Sequence, residues 1–251
     1  MLTWARSRIV GTPLELHARR LQRALGLVRL DQKDRKLMRV LDRILTPTSN
    51  SIDVGAHAGK WVHEILRRTP QGTIYAYEPL PYLRDLLERE FKRRTAVVLR
   101  STAVGDRSGE ITFHMHRSWP AMSSTRALDR WGGEKEYATI TVPIVRLDDD
   151  IDPSIGIRSI KLDAEGAEFS AIAGGIMLIR RCQPFIGFMH GRSAAEFGTK
   201  SAAMYDLLTD RCGLRISRLD DWLEGRPALD AAAFAQRSED DSDYFFLAHP
   251  N

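Results

Sequence analysis

From residue 50 onward the chain alternates short apolar runs with amphipathic stretches, and few architectures accommodate that alternation. The runs at 51–54, 73–77, 96–99, 157–162 and 185–189 are too short for helices and read as strands buried on both faces. The stretches at 58–69, 80–94, 166–181 and 200–212 carry helical spacing between them. Strand and helix in regular alternation build a parallel sheet with helices on both faces. Between the third and fourth strands, 110–114 and 139–145 alternate apolar and polar residues, as in a hairpin or edge pair. A polar loop with two tryptophans, 115–138, joins them. Two further strands are predicted at 214–217 and 244–248, while 1–45 and 224–243 read as peripheral.

Length and composition agree with one large α/β domain or two small ones. The 251 residues include 43% hydrophobic ones, and 37 Lys and Arg stand against 33 Asp and Glu. No window offers the apolar length of a spanning helix, and the first residues lack the apolar core of a signal peptide, so a cytoplasmic location is expected. The two cysteines, Cys182 and Cys212, belong to no paired cysteine or histidine pattern and read as buried free thiols, so no structural metal site is expected. The charge is uneven: residues 1–39 hold ten Lys and Arg against three acids. With Leu14, Leu21, Leu25 and Val28 at helical spacing, 1–45 reads as a basic helical extension preceding a domain at 46–251. Such a helix suits a cap on the domain, and also peripheral contact with an anionic membrane surface.

The motifs lie at the carboxyl ends of the strands, where open α/β sheets bind ligands. SIDVGAHAG puts Asp53 at the first strand's end and Gly55 and Gly59 in the turn that follows. Asp53 occupies the place of the first glycine of a dinucleotide fingerprint, so a pyrophosphate would meet a carboxylate and a cationic ligand fits better. YAYEP ends in Glu78 and Pro79, with an acid suited to accepting two ribose hydroxyls; a helix-end charge is the plainer role for Glu78. In STAVGD, Ala103 and Val104 are small enough to border an adenine ring. KLDAEGAE places Asp163 and Glu165 at the mouth of the fourth strand.

Together with TAVGDRSGEITF and VRLDD, these motifs resemble the FkbM family of S-adenosylmethionine-dependent methyltransferases over roughly residues 50–191. The resemblance implies a class I, Rossmann-like fold: a seven-stranded, mostly parallel sheet with one antiparallel strand near the C-terminus. It implies S-adenosyl-L-methionine as cofactor and O-methylation of a hydroxyl on a sugar, glycan or natural product. By position, Asp53, Gly55, His57 and Gly59 would shape the methionine end of the pocket. Glu78 and Pro79 would hold the ribose side, and Asp163 would lie beside the methyl. Lys161 and Glu165 serve equally as a salt bridge or helix cap.

Where many relatives carry an acid before the histidine, this chain reads Gly187-Phe188-Met189-His190-Gly191. A hydroxyl must lose its proton to be methylated, and His190, Asp163 and Glu165 are the candidate catalytic groups, His190 being also a common type of structural residue. His114 and His116, two apart on a strand, could join Asp163 around a metal, although no metal is expected. Trp119, Met122, Ser123, Ser124 and Trp131 would set acceptor choice. A small-molecule or glycan acceptor follows from this reading, with self-association as a further role for the loop. Nucleic acid is not expected, since the basic charge lies away from the motifs. A non-catalytic S-adenosylmethionine-binding scaffold and, with less support, a nucleotide-cofactor oxidoreductase are the alternatives.

Overall fold

Strand β1 (Ser51–Val54) is buried along its whole length and pairs in parallel with β2 (Ile74–Tyr77) on one side and β7 (Ser159–Leu162) on the other. The computed structural model describes residues 31–240 and 242–251; the more N-terminal part of the basic segment lies outside the described residues. Beyond β2 lies β3 (Val97–Arg100); beyond β7 lie β8 (Phe185–Met189), β10 (Phe245–His249) and β9 (Arg215–Arg218). The sheet therefore runs β3-β2-β1-β7-β8-β10-β9, with β10 antiparallel to both of its neighbours. Chain order reverses between β1 and β7, which opens a crevice at their carboxyl ends.

Alternate strand residues feed two cores. Ile74 and Ala76 face the core formed with helices α1 (Gln32–Ile44), α2 (Lys60–Arg68) and α3 (Pro81–Phe91). Tyr75 and Tyr77 face the opposite one. Helix α1 is capped by Asp31, whose carboxylate accepts the Asp34 N–H at 2.7 Å, and it buries Leu37, Val40, Leu41 and Ile44. Its leucine and valine stripe packs with Trp61, Ile65, Phe185 and Leu247, so residues 32–44 share the core of the sheet domain.

Helix α4 (Leu147–Asp150) precedes β7. The helix predicted at 166–181 is two, α5 (Glu168–Ala173) and α6 (Ile176–Cys182), parted at Gly174 and Gly175. At Gly174 a Cβ would come 1.8 Å from the Gly105 carbonyl oxygen, so backbone packs on backbone there and the helix breaks. After the short α7 (Arg192–Glu196), α8 (Ser201–Asp206) ends in a wider π turn over Leu207–Arg211. The insertion forms a second sheet, β4 (Ala103–Val104), β6 (Tyr137–Val145) and β5 (Gly109–His116) in that order. Residues 103–104, which follow directly on β3, are thus a strand parallel to β6.

Helix α9 (Leu219–Leu223) follows β9 and packs on α1. Residues 224–243 are not peripheral: they contain α10 (Ala231–Glu239), whose Phe234 is fully buried 4.8 Å from the Phe246 ring and 5.2 Å from the His190 ring. One aromatic in an alanine-rich, low-contrast helix leaves little periodic signal. Among the described residues, no helix is long and apolar enough to cross a membrane.

Candidate active site

The turn after β1 is built on conformations that few side chains tolerate. Gly55 has φ +75°, and a Cβ there would lie 2.2 Å from the Asp163 carbonyl oxygen. His57 follows at φ +49°, and Gly59, at φ +76° against the Phe91 ring, opens α2. Glu78 fastens this turn from the end of β2: its Oε2 accepts the His57 N–H at 2.8 Å and its Oε1 the Leu80 N–H at 2.9 Å. Burial pushes its carboxyl up to about 7, against the pull of these two N–H groups. Each oxygen keeps further acceptor capacity.

Beneath the turn Asp53 is fully buried, and Lys161 Nζ donates to its Oδ1 at 3.2 Å and to the Gly55 carbonyl at 3.3 Å. Burial raises the Asp53 carboxyl despite Lys161, and its Oδ2 has no partner. Lys161 also stands 3.7 Å from Asp163. Burial works against both charges, yet Asp53 and Asp163 hold the lysine up, while Lys161 and Lys33 hold the Asp163 carboxyl down.

The turn after β7 carries Glu165 at φ +50° and Gly166 at φ +106°. Glu168 clamps it: its two oxygens accept the Ala164 N–H at 2.7 Å and the Gly166 N–H at 2.9 Å. Burial raises this carboxyl to about 8. The insertion is tied to the same turn, since Ser124 Oγ lies 3.1 Å from the carbonyls of both Ala164 and Glu165.

Between these turns lies a cavity of about 280 Å³. Of the residues singled out from sequence, Gly55, His57, Glu78, Pro79, Ala103, Val104, Ser123, Lys161, Asp163 and Glu165 line it. Asp53 and Gly59 do not: Asp53 acts one layer back through Lys161, and Gly59 packs on Phe91. A second cavity of about 680 Å³ shares Asp163, Glu165, Lys33 and Ala121 with the first and extends to Met122, Trp131, Met189 and His190.

His190 is 3% exposed and lies on this second wall. Its Nε2 meets Ser201 Oγ at 3.2 Å, Ser201 meets Ser238 Oγ at 3.0 Å, and Ser238 reaches the Phe234 carbonyl at 3.0 Å. With that carbonyl able only to accept, the chain runs as donors from His190 outward, leaving the lone pair on Nδ1, which has no partner. Burial lowers its pKa to about 4, so the ring is neutral at neutral pH. The His114, His116 and Asp163 metal grouping does not form. His116 Nδ1 accepts the Ser118 and Trp119 N–H groups and its Nε2 meets the Trp131 carbonyl, and the described residues contain no cluster of three such ligands.

Sequence reasoning missed three parts of the site. Lys33 and Asp34 reach the cavity from α1, Thr102 presents a buried Oγ1 with no partner, and Glu168 clamps the Asp163 turn. Thr102 stands inside STAVGD and Glu168 is the third acid of KLDAEGAE, whereas Lys33 and Asp34 belong to no motif.

A sequence profile described as the methyltransferase FkbM domain matches residues 53–216. No curated protein matches the chain in sequence. Among solved structures, the chain is similar to methyltransferase FkbM from Methylobacillus flagellatus KT, at 15% identity and TM-score 0.50, over 82% of this chain and 44% of that one. It thus spans less than half the length of that protein. A precorrin-6y C5,15-methyltransferase from Geobacter metallireducens GS-15 aligns at 14% identity and TM-score 0.45, over 89% and 91% of the two chains. The N-methyltransferase NodS from Bradyrhizobium japonicum WM9 aligns at 10% identity and TM-score 0.43, over 88% and 95%. With the profile covering well over half of its residues, on a sheet of the order and polarity its motifs imply, this chain belongs to the FkbM methyltransferase family, whose cofactor is S-adenosylmethionine.

Proposed function

We propose that the domain methylates a hydroxyl on a sugar, glycan or natural-product acceptor. One observation carries this reading: two cavities meet at Asp163 and Glu165, one walled by the glycine turn and Glu78, the other by Trp131, Met122 and His190. S-adenosylmethionine suits the smaller. Its wall offers carboxylates to a sulfonium and an ammonium, the missing Cβ at Gly55 lets the glycine turn pack directly against the Asp163 carbonyl, and the Thr102 hydroxyl is unpartnered. Glu78 would hold the ribose, and His57, Pro79, Ala103 and Val104 would border the rest. That cofactor supplies an activated methyl carbon, which leaves the protein to align the acceptor, exclude water and take up a proton.

Asp163, kept as a carboxylate, would orient the acceptor hydroxyl and receive its proton; the His190 Nδ1 lone pair provides a second acceptor on the same wall. The indole of Trp131 offers an apolar face for a sugar ring. The test is transfer of labelled methyl from S-adenosylmethionine to a panel of glycans, small alcohols and amines. An alkali-stable methyl ether is expected, and Asp163→Asn should slow its formation about a hundredfold. Label found only on nitrogen would overturn the choice of hydroxyl. A second reading, a cofactor-binding module without turnover, is favoured by Met189 on the acceptor wall and the weak basicity of His190. It predicts cofactor binding with no label transferred to any member of the panel.

A further inference from the structure

The smaller cavity is lined by three lysines, Lys33, Lys60 and Lys161. S-adenosylmethionine brings an α-carboxylate as well as its two positive centres, and a lysine free to exchange its partner is the strongest group on this wall to receive an anion. Lys161 is committed: it is 7% exposed and bonded to the fully buried Asp53, which would otherwise be a buried unpaired charge. Lys60 is likewise bonded to Asp34, itself 5% exposed. Lys33 is held more loosely. Its ammonium is 3.7 Å from Asp163 Oδ2 and otherwise lies over the rings of Phe245, at 5.1 Å, and Tyr244, at 5.8 Å.

We infer that Lys33 binds the cofactor's α-carboxylate by exchanging ion-pair partners. The incoming ammonium or sulfonium takes Lys33's place beside Asp163, and the incoming carboxylate takes Asp163's place beside Lys33. No charge is stranded in the exchange, because Asp163 also keeps Lys161. The residue comes from α1, before the region that the family profile matches, so this helix completes the site from outside the matched domain. The same lysine lines the second cavity, which places α1 across the junction of cofactor and acceptor.

The inference rests on the cofactor reading, and its test separates the two. Calorimetric titration of the full chain would use S-adenosylhomocysteine and 5′-methylthioadenosine, which shares the nucleoside and sulfur but has no carboxylate. Lys33→Met and Lys33→Gln should weaken S-adenosylhomocysteine binding about tenfold or more and leave 5′-methylthioadenosine binding unchanged, with partial recovery in Lys33→Arg. Thermal unfolding would confirm that each variant is folded. Equal loss for both ligands, no loss for either, or selective loss in Lys60→Met instead would overturn the assignment to Lys33. A wild-type chain that binds neither ligand would overturn the cofactor reading itself.

Discussion

Asp53 and Glu78 show how one residue type takes different work from its surroundings. Both are buried carboxylates, but Asp53 faces a lysine and Glu78 faces only backbone N–H groups. With its carboxyl at about 7, Glu78 is partly protonated at neutral pH. Ribose hydroxyls donating to it would favour the charged form and lower that value, so S-adenosylhomocysteine binding at pH 7 should release part of a proton. Calorimetry in buffers of different ionisation enthalpy reads this directly; a binding enthalpy independent of buffer would exclude the ribose role. Gly55 permits a second prediction at this scale. An alanine there adopts a left-handed φ and meets the Asp163 carbonyl, so Gly55→Ala should lose at least about 2 kcal/mol of stability as well as cofactor binding. Urea denaturation measures the first and titration the second. Gly55 and Glu78 were legible from sequence because glycine turns and strand-end acids sit beside one another in the chain. Lys33 was not, since its place at the cavity depends on how α1 lies on the sheet some 20 residues before the first motif.

The legible elements were those whose burial writes a periodic pattern. The five central strands fall at their predicted positions within two residues, because most of their residues are apolar and all but the edge strand β3 are buried along nearly their whole length. Helix α10 escaped notice because its contribution is concentrated in one side chain. Phe234 packs on Phe188, Phe246 and Tyr205 in one direction and stacks on His190 in another. Phe234→Ala should therefore cost about 3–5 kcal/mol and unseat the His190 ring. The two effects separate by measurement, chemical denaturation giving the stability and the His190 ring resonances the local environment. An unchanged imidazole titration near 4 in the variant would mean that the serine relay alone keeps His190 buried. The break at Gly174 and Gly175 was hidden for a different reason: the apolar spacing of 166–181 continues through it, and the Gly105 backbone that packs on Gly174 comes from a distant part of the chain.

At the scale of the whole molecule, the crevice concentrates ionisable groups whose shifts set how folding responds to pH. Glu78 and Glu168 have folded values of about 7 and about 8 against an ordinary 4.5, so the native state holds protons that the unfolded chain has released. Such groups favour folding at low pH, and their contribution is lost as pH rises through the folded values. His190 acts oppositely: lowered to about 4 from 6.5, it adds stability as pH rises between those limits. Asp163, held below its ordinary value, also adds stability above the acid range and loses it as pH falls. The opposing trends overlap below pH 6.5. From about pH 6.5 to 8 the histidine's contribution levels off as the unfolded chain's imidazole loses its remaining charge, and the raised carboxyls of Glu78, Glu168 and Asp53 act in one direction. Stability should fall across that window by about 1.4 kcal/mol per pH unit for each proton held only by the native state. Glu168 is the larger contributor at the upper end. Glu168→Gln removes its proton and leaves an amide that can accept from only one of the Ala164 and Gly166 N–H groups. The variant should be less stable than the wild type at pH 6 and lose less on going to pH 8, so the two curves converge. Urea denaturation at half-unit pH steps gives both curves, and parallel curves would show that Glu168 is already ionised when it clamps the turn.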